Sequence, residues 1–312
     1  MNWSTSTSLK SQHVVQILGH IFYNMSLLYQ YRYSRLHRSV YGISYDLHIL
    51  DAFSTFCSIY LYLNYLLSPL ALSQYMQRYP LFFLPKDSLE VHELPLSHAL
   101  FLLHVVRFVL SLRVLSILYK FRKTRHVHQS FSKLCRCILL CTVLFHVFTF
   151  ACARLNIGVG FFATITKSQE NFAVSKNRNM GKYGVFYIDH LLYVWILQNY
   201  VLDAFKLMPQ LILNFSGCCT QGLSSKYVVF QGLAHFLTAT ALLHNMFADV
   251  FYQKWYTIPF NYQPFFTSLM NFLLILVILY QAQYLYNNSM PTLIKYSDHI
   301  KKSNVVRSVY PL

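Results

Sequence analysis

Apolar and polar positions along this chain fall in long blocks rather than in a repeating stripe. Seven blocks, about 14–31, 44–67, 97–119, 134–153, 186–213, 227–248 and 264–286, are apolar over most of their length. A helix of about 20 residues crosses the hydrocarbon core of a bilayer. The pattern therefore predicts an all-α membrane protein with seven transmembrane helices. The polar blocks between them predict connections. Residues 68–96 carry Pro69, Pro80, Pro85 and Pro95, residues 154–185 are rich in Asn, Lys and Ser, and both read as excursions without a core of their own.

One spacing occurs twice. Gln30 is followed twelve residues later by Gly42-Ile43-Ser44, and Gln210, preceded by Pro209, is followed at the same interval by Gly222-Leu223-Ser224. One constant offset carries Gln30 to Gln210, Gly42 to Gly222 and Ser44 to Ser224, and each copy joins the end of one apolar block to the start of the next. This is the mark of an internal duplication. It predicts two parallel three-helix repeats, 14–119 and 186–286, joined by a connecting helix in 120–153. A single extra span lets two odd-numbered triplets run the same way, and ligand sites in such proteins lie at the repeat interface. Pro209, inside the fifth block, is expected to bend that helix.

Composition agrees with the membrane class. Hydrophobic residues make up 55% and charged residues 12% of the chain, about half the charge of a soluble domain. The net charge of +16 reads as an orientation signal rather than a nucleic-acid footprint. With seven spans, fourteen Lys and Arg fall on one side, including Lys120, Arg122, Lys123, Arg125, Lys133 and Arg136, against nine on the other. The positive-inside rule then places the N-terminal residues 1–13 and loop 154–185 in the lumen and the tail 287–312 in the cytosol.

The residues also carry a resemblance. Pro209-Gln210 and Gly222-Leu223-Ser224 resemble the PQ-loop superfamily, which embraces lysosomal amino-acid exporters, SWEET sugar transporters and KDEL receptors. Leu18-Gly19, the run Leu50-Asp51-Ala52-Phe53-Ser54-Thr55-Phe56-Cys57-Ser58-Ile59-Tyr60, Lys120-Phe121-Arg122-Lys123-Thr124, Asp203 before Pro209-Gln210-Leu211, and Tyr227 to Leu233 are similar to KDEL-receptor segments in the same order. The resemblance implies a receptor of the endoplasmic reticulum or Golgi, with a vacuolar or lysosomal carrier as the alternative. It also implies where a ligand would sit. The receptor's peptide-gripping arginines fall at Gln16, His235 and Asn245, so all three are replaced in this chain.

Charges inside spans mark functional positions. Asp51, Asp203 and Lys206 qualify, Asp203 and Lys206 being close enough on one helix to neutralise each other. Asp51 needs a partner from another span. Among seven histidines within spans, His20 and His235 stand beside the implied pocket and would give it pH sensitivity. Arg107 and Arg113 read as pairing or snorkelling residues. Cysteine spacing suggests neither metal nor disulfide, and no nucleophile or phosphate loop stands out, so neither catalysis nor a cofactor is expected. Partners are expected among membrane lipids, a luminal peptide cargo or a small solute, with Lys301 and Lys302 in the tail suited to a vesicle coat or to lipid.

Overall fold

A computed structural model describes residues 3–78, 96–125, 129–155, 161–167, 172–178, 184–247 and 263–286. The order is α1 (Trp3–His37), α2 (Tyr45–Leu67), α3 (Pro69–Arg78), α4 (His98–Lys120), α5 (Lys133–Leu155), β1 (Phe161–Lys167), β2 (Phe172–Arg178), α6 (Tyr187–Leu197), α7 (Met208–Gly217), α8 (Ser225–Phe247) and α9 (Phe265–Tyr280). Among the described residues the fold is helical apart from one antiparallel hairpin, β1–β2, with Phe161 opposite Arg178.

Among the described residues, three helical stretches are long and apolar enough by themselves to cross a membrane: α4, α5, and α9 continued to Leu285. A fourth is reached if α2 and α3, bent by 80° at Ser68, are taken as one span. The others are short, like α6 and α7, or diluted by polar residues, and polar residues throughout the bundle point inward. Gln30, His48, Ser111, Gln231 and Asn271 are wholly buried, while Phe56, Leu67, Phe148, Phe215 and Val229 are half or more exposed. A polar interior inside an apolar exterior suits a lipid environment, where buried polar groups satisfy one another and carbon faces the hydrocarbon. The chain is an integral membrane protein on these grounds.

Several boundaries differ from the expectation. The first helix extends beyond 14–31 at both ends, because a Ser/Thr-rich start lowers hydropathy without forbidding helix. The loop 68–96 begins with α3. Ser68 donates its backbone N–H to Asn64 O at 3.1 Å, closing α2, and Pro69 follows at the first helical position, where its missing N–H costs nothing. The loop 154–185 contains the hairpin. Pro209 does not bend a continuous span: α6 passes into a π-helical stretch, Gln198–Asp203, the chain turns through 204–207, and Pro209 sits in the first turn of a new helix, α7.

α1 runs against α8 and α4, α2 lies on α4, and α8 lies on α9, leaving α5 at the margin against α6. At one end of this bundle the two corners, 38–44 and 218–224, meet backbone to backbone. Gln30 Nε2 donates to Gly222 O at 3.1 Å and Gln30 Oε1 accepts from Ser224 N at 3.0 Å. Gln210 Nε2 donates to Gly42 O and Gln210 Oε1 accepts from Ser44 N, both at 2.8 Å. Each glutamine thus completes the other copy's corner. Arg38 and Cys218, which stand at the same offset as the two glutamines, both adopt left-handed φ, 49° and 48°. Gln129 binds the first corner further, accepting from Gly42 N at 3.0 Å and donating to Val40 O and Ile43 O, each at 2.5 Å. Changing Gln30 or Gln210 to leucine strands a buried N–H and C=O, at about 1–3 kcal/mol for each group. The expected result is a lowered unfolding temperature in detergent for both variants, and an unchanged one would deny these amides a structural role.

Candidate functional site

Near the middle of the bundle, side chains from five helical elements converge. The sequence gives α2 and α4 polar faces at helical spacing, Asp51, Ser54, Thr55 and Ser58 on one and Arg107 and Ser111 on the other. These faces meet. Arg107 pairs with Asp51, its Nη2 in close contact with Oδ1 and its Nε donating at 3.2 Å. Asp51 Oδ1 also accepts from Tyr23 OH of α1 at 2.5 Å, and Oδ2 from Ser111 Oγ at 2.6 Å.

The π-helical stretch brings in the second carboxylate. Its wider turn presents Asp203 toward α4, so that Arg107 Nη2 reaches Asp203 Oδ1 at 3.3 Å. Lys206 Nζ donates to Asp203 Oδ1 at 2.8 Å and lies 3.7 Å from Asp51 Oδ1. Gln263 Nε2 donates to Asp203 Oδ2 at 2.6 Å, and Asn271 of α9 holds the Asp203 carbonyl at 2.9 Å. Arg107 and Lys206 stand over the Tyr23 ring, 3.9 and 4.6 Å from its centre. The four charged side chains are 7% exposed or less. Two cations and two carboxylates sum to zero, and every carboxylate oxygen has a donor, which is what burying four charges requires. One contact repeats across the chain: Gln231 Nε2 donates to Ser26 Oγ at 2.9 Å, and the repeat offset carries these two positions onto Asp51 and Lys206.

Above this quartet, on the side away from the corners, lies a polar cleft. Arg107 and Asp203 form part of its floor; Gln16, His20 and His104, with Trp195, Gln198 and Asn199, form its walls. His20 and His104 meet edge to face, 4.9 Å between ring centres. Gln198 Nε2 donates to Ser58 Oγ at 2.5 Å, and its Oε1 is buried without a hydrogen-bond partner among the described residues. The cavity volume is about 30 Å³, room for one or two waters. Admitting an amino acid or a peptide end therefore requires the walls to part.

Of the residues singled out in the sequence, Asp51, Asp203 and Lys206 are brought together, and Gln16 and His20 line the cleft above them. Asp203 and Lys206 do pair, but within a network rather than as an isolated couple. His235 is not in the cleft wall. It packs edge-on against Tyr23, 5.7 Å between centres, and its Nε2 has no hydrogen-bond partner among the described residues. The side chain of Asn245 lies outside the described residues, as do Lys301 and Lys302. Arg113 is exposed, consistent with snorkelling, whereas Arg107 is the centre of the site. Tyr23, Gln198, Gln263 and Asn271 are not legible as site residues in the sequence. The i, i+4 pair Arg107 and Ser111 in an otherwise apolar helix is the signal that could have found the fourth charge. Among the described residues no group of three or more His, Cys, Asp or Glu side chains could hold a metal ion.

No family model matches the chain. It is 35% identical over 282 residues to the uncharacterized protein YCL002C of Saccharomyces cerevisiae, an alignment covering 90% of this chain and 97% of the yeast protein.

Proposed function

We propose, for a chain that belongs to the same family as the yeast protein YCL002C, a seven-span membrane protein of the early secretory pathway that binds a ligand between two parallel three-helix repeats, as KDEL receptors do. One repeat would be α1, α2 with α3, and α4; the other α6 with α7, α8 and α9; α5 would connect them. The observation that carries the reading is the charged floor assembled from both halves under a cleft that faces away from the corners. Tyr23, Asp51 and Arg107 come from the first half, Asp203, Lys206 and Asn271 from the second.

In this reading the bridges that cross the halves, Arg107 to Asp203 and Lys206 to Asp51, are the ligand's competitors. A carboxylate entering the cleft takes donors from Arg107 that Asp203 now holds, exchanging one ion pair for another without exposing either charge to hydrocarbon. Occupancy is thereby tied to how the halves sit against each other. The cations that grip peptide in the receptors are replaced at Gln16 and His235, and Arg107 and Lys206 would supply charge from different helices. A ligand carboxylate would favour a proton on His20 beside Arg107, which otherwise repels a second cation there, so that binding takes up a proton. Immobilised peptides ending in a retrieval signal should therefore bind at least about tenfold more tightly at acidic than at neutral pH, with His20→Gln flattening the difference. Absence of binding at either pH removes the receptor reading.

A second reading is a small-solute carrier of the same superfamily, with a vacuolar or lysosomal address. It is favoured by the break between α6 and α7, which leaves a jointed span beside the charges. Vesicles containing the purified protein would then move amino acids, sugars or organic cations, and a flat trace for all three counts against transport.

A further inference from the structure

Between α2, α5 and α6 a groove of about 330 Å³ opens on the outer surface, away from the cleft. Its walls are Phe53, Phe56 and Tyr60 of α2 and Val143, Val147 and Phe150 of α5. At the back, His190 uses Nε2 with Tyr60 OH at 3.1 Å and Nδ1 with Thr149 Oγ1 at 2.8 Å, so both its ring nitrogens are engaged. Phe56, Val143 and Val147 are among the exposed apolar side chains, so what fills the groove comes from the lipid side.

The upper end has the opposite chemistry. Arg154, one turn beyond Phe150, holds its guanidinium 5.2 Å from the Phe150 ring centre and 5.4 Å from that of Tyr187. The ion pairs of the described residues include none to Arg154. From Val143 to Arg154 the helix rises about 16 Å at 1.5 Å per residue, close to the half-thickness of a bilayer's hydrocarbon core. A cation at the interface, above an apolar slot that runs to the midplane, has the dimensions of one lipid in one leaflet.

We infer that this groove is a phospholipid site, with one acyl chain along α5 and the phosphodiester on Arg154. The planar guanidinium offers paired N–H donors that match phosphate oxygens. A sterol would leave Arg154 without its anion.

The test is native mass spectrometry of the full chain purified in mild detergent, with lipid extracts quantified in parallel. Wild type should retain one phospholipid per chain. Arg154→Gln and the groove-filling Val147→Trp should each reduce retention at least tenfold, while Phe148→Leu, an exposed position of α5 outside the groove, should leave it unchanged. Both Val147 and Arg154 face outward, so unfolding temperatures matching wild type will show that the variants fold. The inference is overturned if wild type carries no phospholipid, if a sterol is retained instead, or if Arg154→Gln retains as much as wild type. It also fails if Phe148→Leu releases the lipid, or if neutralising Arg122 and Lys123 at the other end of the bundle does so instead.

Discussion

Arg107→Leu is expected to lower stability by about 3–5 kcal/mol, the range for removing one partner of a buried ion pair. Asp51 would keep its negative charge at 1% exposure, and Asp203 would lose one of its two cationic donors. Thermal unfolding in detergent measures the loss. Adding Asp51→Asn should recover about half of that loss or more, because the remaining pair, Asp203 with Lys206, is neutral by itself. The amide introduced at position 51 would still offer an oxygen to Tyr23. Residues that share a network are strongly non-additive. A double variant as unstable as the sum of its singles would mean that Arg107 acts through packing on Tyr23 rather than through charge.

Gly222→Ala is expected to be comparably damaging. A Cβ there would sit 2.3 Å from Tyr41 O and 2.4 Å from Gly42 C. Overpacking usually costs about 1–3 kcal/mol because side chains can move aside, but here both sides of the contact are backbone, so the loss should lie at or beyond the top of that range. Gly42 is also committed, at φ 74° and with Gly222 N only 3.1 Å from where a Cβ would stand. Gly217→Ala is the comparison, since among the described residues its Cβ would meet only Cys219 Sγ at 3.6 Å, an ordinary contact, and should be tolerated. Expression of folded Gly222→Ala at wild-type level would show that the corners do not need to touch.

These two variants fall in regions that the sequence exposes to different degrees. The corners can be read directly, because a glutamine, a glycine and a serine recur at one interval and each has a local reason to be there. Which backbone each glutamine satisfies cannot be read: an amide that completes its own turn and one that completes its twin's leave the same spacing. The quartet is legible by residue type and not by partner. Asp51, Asp203 and Lys206 stand out as charges in apolar blocks, yet the helix that faces Asp51 is decided by packing, and Arg107 in isolation looks like any arginine within reach of an interface. The segments that depart from expectation do so for local reasons. The prolines of 68–96 mask a short helix that a proline can begin, and Pro209 looks like a kink because the π-helical stretch before it leaves no mark in hydropathy. The cleft walls, Gln198 and Asn199 among them, depend on that stretch and stay hidden with it.

The crossed amides at the corners bear on how the molecule is made. Gly42 O and Ser44 N find their partner in Gln210, just over half of the chain further along, so while the ribosome is still threading the first helices into the bilayer, these two groups of the first bend have only water to answer them. Neither half can finish its own bend. The chain must hold a provisional shape until its final third arrives, and the two bends then close together.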